Sequence, residues 1–200
     1  MTFAILLSML SLSFVMSISP GPVNMMIVSS GINYGFKKTF AFISGATIGF
    51  TLLLVIIAFG FQKFLLSSPN FLFYIEIVGS LFIIYMGYKI ATSISSLDGQ
   101  SSNKTLRFYE GFLLQWLNPK AWLACIAGVS LFASNKTNLI IFIILYFIVC
   151  YLCLSFWGVL GDKTTKFLNT ELRLRVFNMT MGFILIFSAL SLIIINFLQF

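Results

Sequence analysis

A chain of 200 residues that is 60% hydrophobic and 8% charged is not a soluble domain, in which about a quarter of the residues carry charge. Its formal net charge of +7 does not mean nucleic acid, because the basic residues stand between apolar runs, where membrane topology signals belong. The absence of histidine removes the commonest ligand and general base from any metal, haem or hydrolytic site. Residues 1–36, 39–62, 137–161 and 176–200 carry no charge, and each run exceeds the roughly 20 residues that span a bilayer core. They do not alternate in polarity as barrel strands do, so the prediction is transmembrane helices.

The first predicted helix covers about 3–30. No basic segment precedes its apolar run, so it reads as a spanning helix and not as a signal peptide. As one straight helix, 36 residues would extend about 54 Å against a hydrocarbon core of about 30 Å. It must bend or unwind, and Ser19-Pro20-Gly21-Pro22 marks the place. Pro20 has no N–H for the Met16 carbonyl, and Pro22 has none for Ile18. Carbonyls freed in this way can accept from an ammonium or a hydroxyl. The chain restarts at Val23, Asn24 and Met25, where a helix N-terminus attracts carboxylate. A plain proline kink is the simpler reading. Two prolines about a glycine favour a binding site made of Pro20, Gly21, Pro22 and Asn24.

Helix 2, about 39–61, contains Gly45 and Gly49 at a spacing that lets helices approach closely. Helix 3, about 70–92, carries Glu76 roughly two turns from its outer end. Glu76 is a candidate proton-coupling group, or else a side chain that reaches the outer headgroups. Residues 93–105 are polar and rich in serine, and read as a flexible connection. Helix 4, about 109–133, is interrupted at Asn118-Pro119-Lys120. Counted from Glu110, Lys120 lies about 15 Å along the helix, near mid-membrane. An unpaired charge there costs at least about 2.5–3.5 kcal/mol and marks a functional site by default. Lys120 either pairs with a substrate carboxylate or an acidic side chain, or snorkels to water. Gln115, Asn118 and Pro119 complete the second half of the candidate site.

Helix 5, about 138–160, holds Cys150 and Cys153. With Cys125 they read as small apolar residues and not as a redox pair. Trp116, Trp122 and Trp157 read as packing or interface anchors. Glu110 and Asp162 stand near helix ends beside basic residues, a setting for local ion pairs. Helix 6 covers about 176–198.

The basic residues sort by side. Lys37, Lys38, Lys89, Lys104, Arg107, Lys163, Lys166, Arg173 and Arg175 fall on one side, and Lys63 and Lys136 on the other. The richer side marks the cytoplasm, so both termini face outward. Three helices per half is an odd number, so the halves run in opposite senses. A shift of 97 positions places Pro22 on Pro119 and Gly31 on Gly128. The predicted fold is an all-α integral membrane protein with six transmembrane helices. They form two inverted three-helix repeats, 1–92 and 109–200, joined by 93–108, with helices 1 and 4 broken at prolines. Corresponding interruptions in inverted halves point to a transport site.

These residues resemble the LysE/RhtB family of amino-acid exporters over almost the full length. The resemblance rests on Ser19-Pro20-Gly21-Pro22, on Gly31-Ile32-Asn33-Tyr34-Gly35 before Lys37-Lys38, and on Gly45, Gly49, Gly79 and Tyr85-Met86-Gly87. It continues through Gly111 to Ala121, including Gln115-Trp116-Leu117-Asn118-Pro119-Lys120, and through Trp157, Gly161, Asn178 and Gly182. The resemblance implies a bacterial inner-membrane carrier with no cofactor. It implies export of amino acids or related zwitterions, driven by protons moving inward. Apart from the resemblance, a six-helix carrier of this size can pair as a homodimer. Two other carrier classes share the composition. A thiol–disulfide carrier would want cysteines in both broken helices, and the first has none. A divalent-metal exporter would want clustered His, Asp and Glu. No G-x-x-x-x-G-K-[ST] occurs, so the chain has no nucleotide site of that kind to drive transport.

Overall fold

The computed structural model describes residues 2–61, 69–92, 106–168 and 170–198. The connection predicted for 93–108 lies almost wholly outside them. The described residues form eight α-helices and no strand. In chain order these are α1 (Phe3–Ile18), α2 (Pro22–Tyr34), α3 (Phe36–Ile56, extended by a π turn Ile57–Phe61) and α4 (Pro69–Ala91). They continue with α5 (Phe108–Trp116), α6 (Pro119–Phe132), α7 (Lys136–Thr164) and α8 (Glu171–Leu198).

Both interruptions fall at the prolines. α1 stops at Ile18, and Pro22 takes the first position of α2, where its missing N–H costs nothing. The two helices meet at a bend of 57°. α5 stops at Trp116, and Pro119 takes the first position of α6 behind Asn118, whose side chain caps the new helix. α2 turns into α3 at Gly35, which has φ +80°. That left-handed conformation favours glycine over any residue with a Cβ.

Four helical stretches are long and apolar enough to cross a bilayer: Phe36–Gly60, Phe73–Ala91, Lys136–Phe167 and Glu171–Ser191. The bent pair α1–α2 makes a fifth. α6, with 14 residues, is short for a span of its own, and α5, with nine, is shorter still. Large apolar side chains cover the outside, including Leu131, Leu152, Phe183 and Phe187, as expected where lipid replaces water.

Lipid gives no hydrophobic drive to helix pairing, so close backbone approach must supply the contact. α4 lies on α8 through facing glycines: a Cβ on Gly182 would stand 2.5 Å from the Gly87 carbonyl oxygen. α3 lies on α5, where a Cβ on Gly45 would stand 1.9 Å from the Phe108 oxygen and one on Gly111 2.2 Å from the Phe42 oxygen. α2 lies on α7 through Gly31, Gly158 and Gly161. Polar groups add register. Asn33 of α2 and Asn178 of α8 exchange amide hydrogen bonds of 2.8 and 2.9 Å. Phe42, Phe142, Met26, Leu53 and Leu54 fill the space between α2, α3 and α7.

Candidate functional site

A broken helix in lipid leaves backbone groups that must find partners. At the first break, every carbonyl from Met16 to Ser19 has one. The Ser17 and Ser19 oxygens both accept from Asn24 Nδ2, each at 3.0 Å. The Ile18 oxygen, orphaned by Pro22, accepts from the indole N–H of Trp157 at 3.1 Å. The Met16 oxygen, orphaned by Pro20, faces the Ser19 hydroxyl at 3.5 Å. The Ser19 oxygen also accepts from Lys120 Nζ at 2.8 Å, and the same ammonium donates to Ser19 Oγ at 2.8 Å.

The second break is closed in a similar way. The Trp116 oxygen accepts from Trp122 Nε1 at 2.7 Å. The Lys120 N–H donates to Asn118 Oδ1 at 3.1 Å, and the Ala121 N–H donates to the Asn118 oxygen at 2.9 Å. The Trp116 indole donates outward to the Gly49 oxygen of α3 at 3.0 Å. The three tryptophans therefore do more than pack: each satisfies a backbone carbonyl, two of them at the breaks. A tryptophan in an apolar run signals that its N–H needs a partner, but the sequence does not say which carbonyl.

The two breaks meet at one cavity. Its lining includes Gly21 and Asn24 from the first break and Gln115, Asn118 and Lys120 from the second, with Tyr146 and Cys150 from α7. Pro20, Pro22 and Pro119 shape the breaks without lining the cavity. Lys120 is half-buried, and its stem lies along Gly21, where a Cβ would stand 3.5 Å from Nζ. The cavity holds about 30 Å³ of water-accessible space, room for about two waters and not for a whole amino acid. In this conformation the Lys120 ammonium and the Asn24 and Asn118 amides are engaged with the protein's own backbone. The freed carbonyls expected to await a substrate are occupied, and so are the N–H groups that follow Pro119. The first helical bond of α2 runs from Met25 N to the Gly21 oxygen, so the N–H groups of Val23 and Asn24 stand ahead of it.

Glu76 lies on α4, and its side chain is outside the described residues. Glu110 pairs with Lys89 of α4 and accepts from the Arg107 N–H at 2.8 Å, tying α4 to the start of α5. Asp162 has no ion pair among the described residues. Glu110→Gln is expected to lower the thermal midpoint of the purified carrier. Removing one partner of a buried pair costs about 3–5 kcal/mol; Lys89 is partly exposed, which reduces that figure. In a double-mutant cycle, Lys89→Met with Glu110→Gln should lose less than the sum of the two single changes. Additive losses would show that the pair carries no coupling. Cys125, Cys150 and Cys153 are buried free thiols. Among the described residues, no three His, Cys, Asp or Glu side chains come together as a metal site requires.

The family model of the LysE type translocators matches residues 14–195. The cysteine/O-acetylserine efflux proteins of Escherichia coli (strain K12) and Shigella sonnei (strain Ss046) are each similar to this chain. Both are 26% identical over 138 residues, which cover 69% of this chain and 70% of theirs. No solved structure matches the chain. With its several apolar helices long enough to cross a bilayer, and with the family model spanning nearly all of its length, the chain is a multi-pass membrane protein that belongs to the LysE type translocator family.

Proposed function

We propose that the protein exports amino acids or closely related small zwitterions across the bacterial inner membrane in exchange for protons. The reading is carried by one observation: the Lys120 ammonium of α6 crosses to the backbone break between α1 and α2, inside a cavity lined by both breaks. A zwitterion has the complementary groups. Its carboxylate takes Lys120 and the N–H groups at the start of α2, and its ammonium takes the Ser17 and Ser19 carbonyls that Asn24 now holds. Asn118 and Gln115 complete the polar lining. The breaks act as two faces of one site in an inverted repeat of six spans, in which α1–α2 and α5–α6 are the broken first and fourth helices. Both termini face the periplasm. Glu76 carries the returning proton. The related efflux proteins, named for cysteine and O-acetylserine, support the amino-acid headgroup as the common element.

Everted membrane vesicles from cells expressing the chain test this directly. They should accumulate labelled cysteine or O-acetylserine well above vector vesicles when energised, and collapsing the pH gradient should abolish the difference. Accumulation equal to the vector, across a panel of amino acids, would refute export. Glu76→Gln should still equilibrate substrate but no longer respond to the gradient; an unchanged response removes Glu76 from the coupling role.

A further inference from the structure

The cavity contains a second polar group that the zwitterion headgroup does not use. Ser17, in the last turn of α1, is 7% exposed, and its Oγ is buried with no hydrogen-bond partner among the described residues. Other serines of α1 behave differently. Ser8 Oγ donates to the Ala4 oxygen at 2.9 Å, and Ser13 Oγ donates to the Met9 oxygen at 2.7 Å, the usual return of a hydroxyl to the preceding turn. Ser17 instead faces the Tyr146 hydroxyl and the Cys150 thiol of α7, without reaching bonding geometry to either. Thr47 of α3 is fully buried, has an equally unpartnered Oγ1, and faces the same thiol. Ser17, Tyr146 and Cys150 line the cavity.

A buried hydroxyl without a partner is destabilising and calls for an explanation. For Ser17, which stands with Tyr146 and Cys150 at the wall of a cavity that already gathers groups for an amino-acid headgroup, the cavity supplies one. We propose that Ser17, with Tyr146 beside it, reads the side chain of the transported amino acid and selects a short one that carries a hydrogen-bonding oxygen or sulfur. This rests on the export reading above and narrows its substrate class. A hydroxyl both donates and accepts, so Ser17 can serve a substrate hydroxyl, a thiol or an ester carbonyl. Phe50 and Leu154 close the same cavity with apolar surface, which limits the length of the side chain. A substrate with a methyl group at that position leaves Ser17 unpaired, and discrimination follows from that penalty.

The test compares serine and cysteine with 2-aminobutyrate, which has a methyl group where serine has its hydroxyl, in everted vesicles at limiting concentration. Lysine and leucine complete the panel. The wild type should carry serine or cysteine about tenfold faster than 2-aminobutyrate, the effect of one unsatisfied buried hydroxyl. Ser17→Ala should bring that ratio to within about twofold. Tyr146→Phe should reduce it by a smaller factor and serves where Ser17→Ala expresses poorly. A ratio independent of the amount of protein in the membrane keeps the comparison clean. An unchanged ratio in both variants overturns the subsite. So does a wild type that carries 2-aminobutyrate as fast as serine, or carries lysine or leucine in preference; export then stands. A wild type that carries none of the panel above vector removes export, and the subsite falls with it.

Discussion

Lys120→Met is expected to cut export at least about tenfold while the protein still folds. A single charge-assisted contact to substrate carries about 1.5–3 kcal/mol, which corresponds to roughly 10- to 150-fold. Methionine keeps most of the lysine stem against Gly21 and removes only the ammonium. The fold survives because the backbone at the break keeps other donors. The Ser19 oxygen retains Asn24 Nδ2, and the Ile18 oxygen retains the Trp157 indole. Loss of the two Lys120 bonds therefore leaves no carbonyl orphaned, and a half-buried charge is no longer held away from water. Size-exclusion profiles of wild type and variant should coincide while the vesicle assay separates them. Unimpaired transport by a well-expressed Lys120→Met carrier would exclude a substrate role for the ammonium.

Gly45→Ala should have a large effect on the fold. Its Cβ would stand 1.9 Å from the Phe108 oxygen, 2.7 Å from the carbonyl carbon and 3.1 Å from Cα. All three are backbone atoms, so no side chain can rotate out of the way and α5 itself must move off α3. Overpacking of this kind costs about 1–3 kcal/mol and sometimes more, and here it opens the whole contact between the two helices. Gly21→Ala is the useful comparison. Its Cβ would meet the flexible end of Lys120 at 3.5 Å, an ordinary contact, and its φ of −169° suits any residue. A thermal melt in detergent should show a clear drop for Gly45→Ala and little change for Gly21→Ala. Because α5 ends at the second break, the Gly45→Ala protein that does fold should also transport poorly, with Gln115 and Asn118 displaced. Equal melting of the two variants would show that the α3–α5 contact yields more easily than its backbone geometry indicates.

The breaks were readable from the chain because proline chemistry is local: a missing N–H and a clash with the preceding turn do not depend on tertiary context. Pro22 and Pro119 open their helices where that chemistry requires. The close contact at Gly45 and Gly49 was readable for a similar reason. Helix ends were less so. α8 starts at Glu171, ahead of the uncharged run from 176, because Glu171, Arg173 and Arg175 extend the helix beyond its apolar part. Sequence placed Lys120 and the first break in one site, but not the bond between them, which joins residues 101 positions apart. The indole of Trp157 is 139 positions from the Ile18 carbonyl it satisfies. Periodicity and composition describe one helix at a time, and these pairings depend on how α6 and α7 lie against α1. The unpartnered hydroxyls of Ser17 and Thr47 were not readable for the same reason, since a serine in an apolar helix ordinarily bonds to its own backbone.

If the substrate carboxylate takes Lys120, as proposed, the Lys120–Ser19 contact also sets how tightly the carrier can hold its cargo. With its ammonium already satisfied, the empty protein is its own competitive inhibitor. Substrate does not add bonds so much as exchange them, and the measured dissociation constant is the intrinsic one divided by the fraction of molecules in which the contact is open. If that fraction is about 1%, apparent affinity falls about 100-fold. On that reading, such a carrier would stay shut at low internal concentrations and turn over when the metabolite accumulates, and a safety valve would need no separate regulatory site.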